Sequence, residues 1–275
     1  MRPGGPFARP ARAVNSGAVR ILLSNDDGIL APGLAALYNA VADVGEVTVV
    51  APDSPQSAAG HSITLKRPLT VQKVHLGWRG EPVGLSVDGR PADCVRLAVR
   101  SLMEKPPDLV LAGINTGANV GVNVFYSGTV AAAVEAAMLG IPAVAFSAAA
   151  GAGEVDFERV GGLCRWVLER LLEIGLRHSD LVNVNIPDCA AGPPRGVRVV
   201  RQSTAEIEDL YRLDSEDPTG RRYVLGDEYN FIGHENDDVA CLAEGYITVT
   251  PLHVDMTSHR RLADLDDGRW GDVPD

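Results

Sequence analysis

Two adjacent aspartates end an apolar run in Ile21-Leu22-Leu23-Ser24-Asn25-Asp26-Asp27-Gly28, and Ala31-Pro32-Gly33 with a helical pattern follows. Neighbouring carboxylates at the end of a buried strand repel one another and lose solvation. Such a pair is costly unless it is protonated or neutralised, and a hard divalent cation is the usual neutraliser. The same two residues would also serve as a helix N-cap with an acidic first turn, so on this segment alone both readings stand. Further along, Ser57 lies in a polar loop, and Asn115 lies in Gly113-Ile114-Asn115-Thr116-Gly117. Each has an ordinary reading as a loop residue. Together they are oxygen donors, two charged and two neutral, a set that suits Mg²⁺ or Mn²⁺ and not zinc.

The elements that must position these residues are legible in the hydrophobic pattern. Val19–Ser24, Glu46–Ala51, Asp108–Gly113 and Ala143–Ser147 are short apolar runs, separated by helical stretches such as Leu34-Leu37-Tyr38-Val41, Ala92–Met103 and Ser127–Leu139. Near-continuous apolar strands alternating with helices predict an α/β fold. Its Rossmann-like, largely parallel sheet carries helices on both faces. Ile63–Val74 and Val83–Val87 are expected as β-hairpin excursions outside that sheet. In such sheets ligands sit beyond the carboxyl ends of the strands. The unusual polar residues follow three predicted strands in turn, and this convergence favours the metal reading.

Tyr126-Ser127-Gly128-Thr129 opens the third helical stretch. Ser127 suits an N-cap, and a glycine in the first turn lets an anion approach backbone N–H groups where the helix dipole favours it. A simple capped helix packed on the sheet is the plain alternative.

Phe157–Ile174 is expected to be a helix, Leu181–Ile186 a strand, Val197–Val200 further β structure, Asp237–Glu244 a short helix, and Gly245–Pro251 a strand. The chain divides into a disordered tail (1–18), one domain (19–262) and an acidic, frayed C-terminal tail (263–275). Within that domain an irregular, polar extension covers about 203–240.

The chain has 275 residues, with 45% hydrophobic content, 25 basic and 36 acidic residues and a formal net charge of -11. That balance argues against a nucleic-acid polymer as ligand, since it offers no basic face for phosphates. Cys94, Cys164, Cys189 and Cys241 form no Cys-x-x-Cys pair, and are expected to be buried thiols of a cytoplasmic protein. No apolar run reaches the ~18 residues of a membrane span.

Four ordered motifs carry a family resemblance: Asn25-Asp26-Asp27-Gly28 with Ala31-Pro32-Gly33; Val50-Ala51-Pro52-Asp53 through Gln56-Ser57; Gly113-Ile114-Asn115-Thr116-Gly117-Ala118-Asn119; and Tyr126-Ser127-Gly128-Thr129-Val130-Ala131-Ala132. Pro91–Val95, Val184–Pro187 and Gly245–Leu252 agree. Over roughly residues 19 to 260 the chain resembles the stationary-phase survival protein SurE. The resemblance implies a metal-dependent phosphatase acting on nucleoside 5′- and 3′-monophosphates. It implies metal binding by Asp26, Asp27, Ser57 and Asn115, and phosphate binding by Asn119, Ser127, Gly128 and Thr129. It also implies a homodimer or homotetramer built through C-terminal extensions. The chain departs from the family where Gln202-Ser203-Thr204 replaces a usual Gln-Gly turn, and where His234–Asp238 replaces a frequent Pro-Gly-Thr-Asp segment. These changes bear on the oligomer arm and substrate preference and leave the four metal positions intact.

The expected reaction is attack of water in line on a phosphomonoester, with Asp26 or Asp27 as the catalytic carboxylate, either ligand or base. His61 follows the Ser57 loop and is a candidate substrate contact, against the plain reading of a loop histidine bonded to backbone. The remaining histidines carry no constellation. The alternatives are a nucleotide-binding regulator without turnover and a short-chain polyphosphatase. An aspartyl-phosphate route is less favoured, because adjacent acids face one site less readily than an Asp-x-Asp pair would.

Overall fold

A computed structural model of the chain describes residues 19–151, 153–190, 192–205, 207–208, 211–225, 230–231 and 233–266. The expected N-terminal tail lies outside these residues, as does most of the expected acidic tail. A nine-stranded sheet is ordered β3-β4-β2-β1-β5-β6-β7-β13-β8. Its members are β1 (Val19–Ser24), β2 (Gly45–Pro52), β3 (Val71–His75), β4 (Val83–Val87), β5 (Leu109–Thr116), β6 (Ala143–Ala148), β7 (Leu181–Ile186), β8 (Val197–Val199) and β13 (Ile247–Leu252). The helices are α1 (Pro32–Val41), α2 (Pro91–Leu97), α3 (Gly128–Met138), α4 (Phe157–Ile174), α5 (Asp238–Ala243) and α6 (His259–Leu265). Two small antiparallel pairs lie apart from the main sheet: β9 (Ile207–Glu208) with β12 (Asn230–Phe231), and β10 (Tyr211–Asp217) with β11 (Gly220–Leu225).

The apolar strands read as continuous because both faces of the sheet are covered. Ile21, Leu23, Leu111, Val144 and Phe146 point into a core shared with α1 and α4. The alternate residues Leu22, Val110, Ala112, Ala143 and Ala145 point to the other face, under α2 and α3. Small alanines on that second face and on α3 let this helix sit close to β5 and β6. Close seating matters because the first turn of α3 then lies beside the ends of β1 and β5.

Two expectations need correction. Val83–Val87 is not outside the sheet: β4 pairs in parallel with β2 through Val50–Leu85 and Ala51–Ser86, and β3 closes that edge antiparallel to β4. The sequence shows two short β runs but not their partner, and Leu85 and Val87 have apolar ground to bury only at the β2 edge. Of the longer run Ile63–Val74, only the part from Val71 is a strand. The second concerns the acidic tail, since Asp264 and Leu265 belong to α6. Arg261 and Asp264 pair there across one turn at 2.8 Å. Among the described residues no helix is long and apolar enough to cross a membrane.

Candidate active site

β1 delivers Asp26 and Asp27 to the carboxyl end of the sheet, and hydrogen bonds draw three other loops to them. The backbone N–H of Gln56, next to Ser57, donates to the Asp26 carbonyl at 2.7 Å. The backbone N–H of Thr116, next to Asn115, acts on the Asp27 carboxylate and offsets part of the rise that burial causes. The hydroxyl of Thr129, in the first turn of α3, donates to Asp26 Oδ1. Gly60 N–H donates to the Tyr126 carbonyl at 2.9 Å, which ties the Ser57 loop to the entrance of α3. Residues 26, 57, 115 and 127–129 therefore belong to one stitched cluster, although up to 103 positions separate bonded partners.

Asp26 is 5% exposed. Its carboxyl is raised to about 6: burial is the main cause, the Thr129 hydroxyl opposes it, and the charge of Asp27 adds to it. Burial also lifts Asp27 above the ordinary carboxylate range. Two such groups side by side form a site that a cation stabilises. Among the described residues no three His, Cys, Asp or Glu side chains gather as a metal site. Ser57 and Asn115 are the neutral oxygen-bearing side chains that the sequence analysis set beside the two carboxylates. The Asn115 amide nitrogen donates to the Gly117 carbonyl at 2.8 Å, which leaves its oxygen as the free donor. A bulge between Ala112 and Asn115 re-aims the end of β5, as bulges beside functional sites commonly do. The donor set fits Mg²⁺ or Mn²⁺. Ser57 itself is exposed.

The phosphate-side residues divide into two kinds. Ser127 is the N-cap of α3, with Oγ accepting from Val130 N–H at 3.0 Å. Thr129 is committed to Asp26, which makes it a prop for the carboxylate. Gly128 packs on Asp26 so closely that an added Cβ would lie 2.6 Å from Asp26 Cβ and 2.8 Å from Oδ2. Asn119 is nearly buried, and its amide donates to Ser147 Oγ at 2.8 Å. Its backbone N–H donates to Asn185 Oδ1 at 2.8 Å, and Asn183 and Asn185 both donate to its carbonyl. This clamp escaped the sequence reading. Its signal was present: Val-Asn-Val-Asn within an otherwise apolar strand puts two amides on one buried face, and buried amides need partners.

His61 is placed differently from the other candidates. Its Nε2 lies 3.0 Å from Glu135 Oε2, on a glutamate with no solvent exposure, and Arg96 Nε lies 2.8 Å from the other carboxylate oxygen. The imidazole thus meets α3 two turns beyond the phosphate-side residues. Burial alone would raise the Glu135 carboxyl, but the His61 hydrogen bond and the Arg96 ion pair outweigh it and hold the group below its ordinary value of 4.5. A depressed folded-state pKa means stability that is in place above about 4.5 and drains away as pH falls below it. Glu135→Gln should cost about 1–2 kcal/mol at neutral pH, from weakened charge-assisted bonds. The gap to wild type should shrink in thermal melts as pH drops below 4.5. A gap independent of pH would show that Glu135 titrates alike in the folded and unfolded protein and that its partners do not favour its charge.

Comparisons with known proteins identify the family and the fold. A family model described as Survival protein SurE matches residues 21–209. The 5'-nucleotidase SurE of Carboxydothermus hydrogenoformans is 42% identical over 253 residues, covering 90% of this chain and 95% of that protein. The 5'-nucleotidase SurE of Syntrophobacter fumaroxidans is 43% identical over 256 residues, covering 92% and 99%. The crystal structure of the SurE protein from Aquifex aeolicus superposes with a TM-score of 0.77 at 38% identity, covering 90% of this chain and 98% of that one. With its strand-end carboxylates, its capped α3 and these relatives over nearly its whole length, the chain belongs to the SurE family.

Proposed function

We propose that the chain hydrolyses the phosphomonoesters of nucleoside 5′- and 3′-monophosphates with the help of a divalent cation. The observation that carries this reading is the pair Asp26-Asp27 at the end of β1, with the first turn of α3 packed against Asp26. Relatives named 5'-nucleotidase over nearly their full length support the substrate class.

Asp26, Asp27, Ser57 and Asn115 would hold the ion, Mg²⁺ or Mn²⁺. When bound, such an ion neutralises phosphoryl charge and eases deprotonation of a nearby water. The protein's own residues supply the rest. Asp26 is held by the Thr129 hydroxyl. Asp27 is less buried and is the carboxylate available to orient the attacking water and accept its proton. The α3 N-terminus, through the Gly128 amide and the aligned helix dipole, favours the phosphoryl oxygens. Asn119, held rigid by Asn183, Asn185 and Ser147, contributes a preorganised polar group at little reorganisation cost.

Homodimer or homotetramer assembly through the 203–240 extension belongs to the same reading, supported by the exposed Tyr211, Leu213 and Tyr223 of the β10–β11 hairpin. A cytoplasmic location is supported by four buried, unpaired thiols. A phosphate-release screen over nucleoside monophosphates tests the activity, with Mg²⁺, with Mn²⁺ and with chelator. Release from 5′- and 3′-monophosphates that chelator abolishes is the expected result. No release from any of them with either ion would overturn the reading.

A further inference from the structure

Asp238 is fully buried and has no part in the chemistry above. Its carboxylate joins two segments that are distant in sequence. Oδ2 accepts from the backbone N–H of Gly121 at 2.9 Å, 117 positions away, and Oδ1 accepts from the backbone N–H of Ser203 at 2.8 Å. Gly121 begins the single-turn 3₁₀ segment Gly121–Phe125. That segment connects Asn119 to Ser127, so both sets of phosphate-side residues flank it. Ser203 lies at the root of the extension. Gln202 reinforces the joint, donating from Nε2 to the Gly121 carbonyl at 2.8 Å. Gly121 has φ +57, and a Cβ there would lie 3.2 Å from Val239 Cγ2, so the segment presses directly on α5. The backbone of Asp238 closes the loop by donating to the Arg201 carbonyl at 3.0 Å.

We infer that Asp238 is a positioning residue for phosphate: by bridging Gly121 and Ser203 it sets the Asn119–Ser127 connection and couples it to the root of the extension. The inference rests on the reading of Asn119 and the α3 turn as phosphate contacts. A carboxylate between two N–H donors suits this task, because each oxygen accepts without competition from a donor of its own. Asparagine in its place keeps one acceptor and points an N–H₂ at the other amide, which breaks one arm of the bridge at nearly constant volume. Asp26, Asp27 and Ser57 lie on other loops, and Asn115 is held in β5 ahead of the connection, so metal affinity and phosphate affinity should separate.

The test uses the full chain and three readouts for Asp238→Asn and Gln202→Ala. In Asp238→Asn the inhibition constant of inorganic phosphate and the KM for a nucleoside monophosphate should rise about tenfold, the effect of one lost charge-assisted bond. Mn²⁺ affinity should stay within about twofold of wild type, because Asp238 and Gln202 bond to none of the four proposed ligands. Hydrogen exchange should speed up across 119–127 and across 201–205 together. Gln202→Ala should move the same quantities by a smaller factor, and it decides the matter should Asp238→Asn fail to fold. Unchanged phosphate inhibition in the folded variants, or a parallel loss of Mn²⁺ affinity, would overturn the inference. Absence of phosphate release by the wild type would defeat the nucleotidase reading instead, and the coupled exchange of the two segments would still report on the bridge.

Discussion

Replacing Asp26 by asparagine is expected to strip turnover while making the metal-free protein more stable. At neutral pH the folded protein keeps a nearly buried carboxylate whose pKa is raised to about 6, next to a second carboxylate. A shift from 3.8 to about 6 corresponds to a penalty on the order of 3 kcal/mol for the folded state. Asparagine removes that charge and keeps an oxygen for the Thr129 hydroxyl. In chelator, Asp26→Asn should therefore melt higher, by about 2–4 °C for each kcal/mol recovered in a chain of this size. In Mg²⁺ or Mn²⁺ the order should reverse, since only the wild type gains from the ion by mass action. Phosphate release should fall on the order of 10²-fold or more. Sites built for function commonly give up stability in this way. Near-normal turnover would remove Asp26 from the metal site, and a chelated variant that melts lower than wild type would show that the buried charge does not destabilise the fold.

Gly128→Ala should be nearly as damaging, against what helix propensity suggests. Alanine is better than glycine in a helix by about 1 kcal/mol, and position 128 is the first residue of α3. The added methyl would lie 2.6 Å from Asp26 Cβ and 2.8 Å from its Oδ2, inside any tolerable contact. Either Asp26 turns away from Thr129 or α3 lifts off β1. Both outcomes misplace the carboxylate relative to Ser57 and Asn115, and misplacement by about 1 Å can cost on the order of 10²-fold in rate. The expected result is a folded protein that loses about 1–3 kcal/mol to overpacking and about 10²-fold or more in phosphate release. Mn²⁺ titration should show weakened binding. An active variant with a raised melting temperature would mean that helix propensity wins and that the contact between α3 and Asp26 is dispensable.

The two substitutions probe different physics at one point. Asp26→Asn keeps the shape and removes the charge, whereas Gly128→Ala keeps the charge and removes the space. If the proposed site is right, the first raises the stability of the chelated protein and the second lowers it, while both lose activity. A merely structural Asp26 would show the stability changes alone.

Much of this molecule was legible from residue order, for reasons that are local. Continuous apolar runs marked β1, β5, β6 and β7, because strands covered on both faces cannot alternate. Phe157–Ile174 and Leu181–Ile186 have the bounds their periodicity predicts. Ser127 caps α3 as its residue type and position imply. Asp26 and Asp27 announced themselves by being charged where a buried strand ends. What residue order left open depends on partners far along the chain. Only the assembled sheet seats β4 beside β2, because two short strands carry no mark of which edge they join. Only α3 lying against the Ser57 loop turns His61 toward Glu135, a residue 74 positions away. Thr129 reads as an anion donor in isolation, yet the packing of α3 on β1 makes it the partner of Asp26. The bridge from Asp238 to Gly121 spans 117 residues and joins backbone amides, which every residue but proline possesses. Side-chain type and spacing reveal where chemistry gathers, but a hydrogen bond to a backbone group leaves no trace in the identity of its partner, so tertiary packing alone decides it.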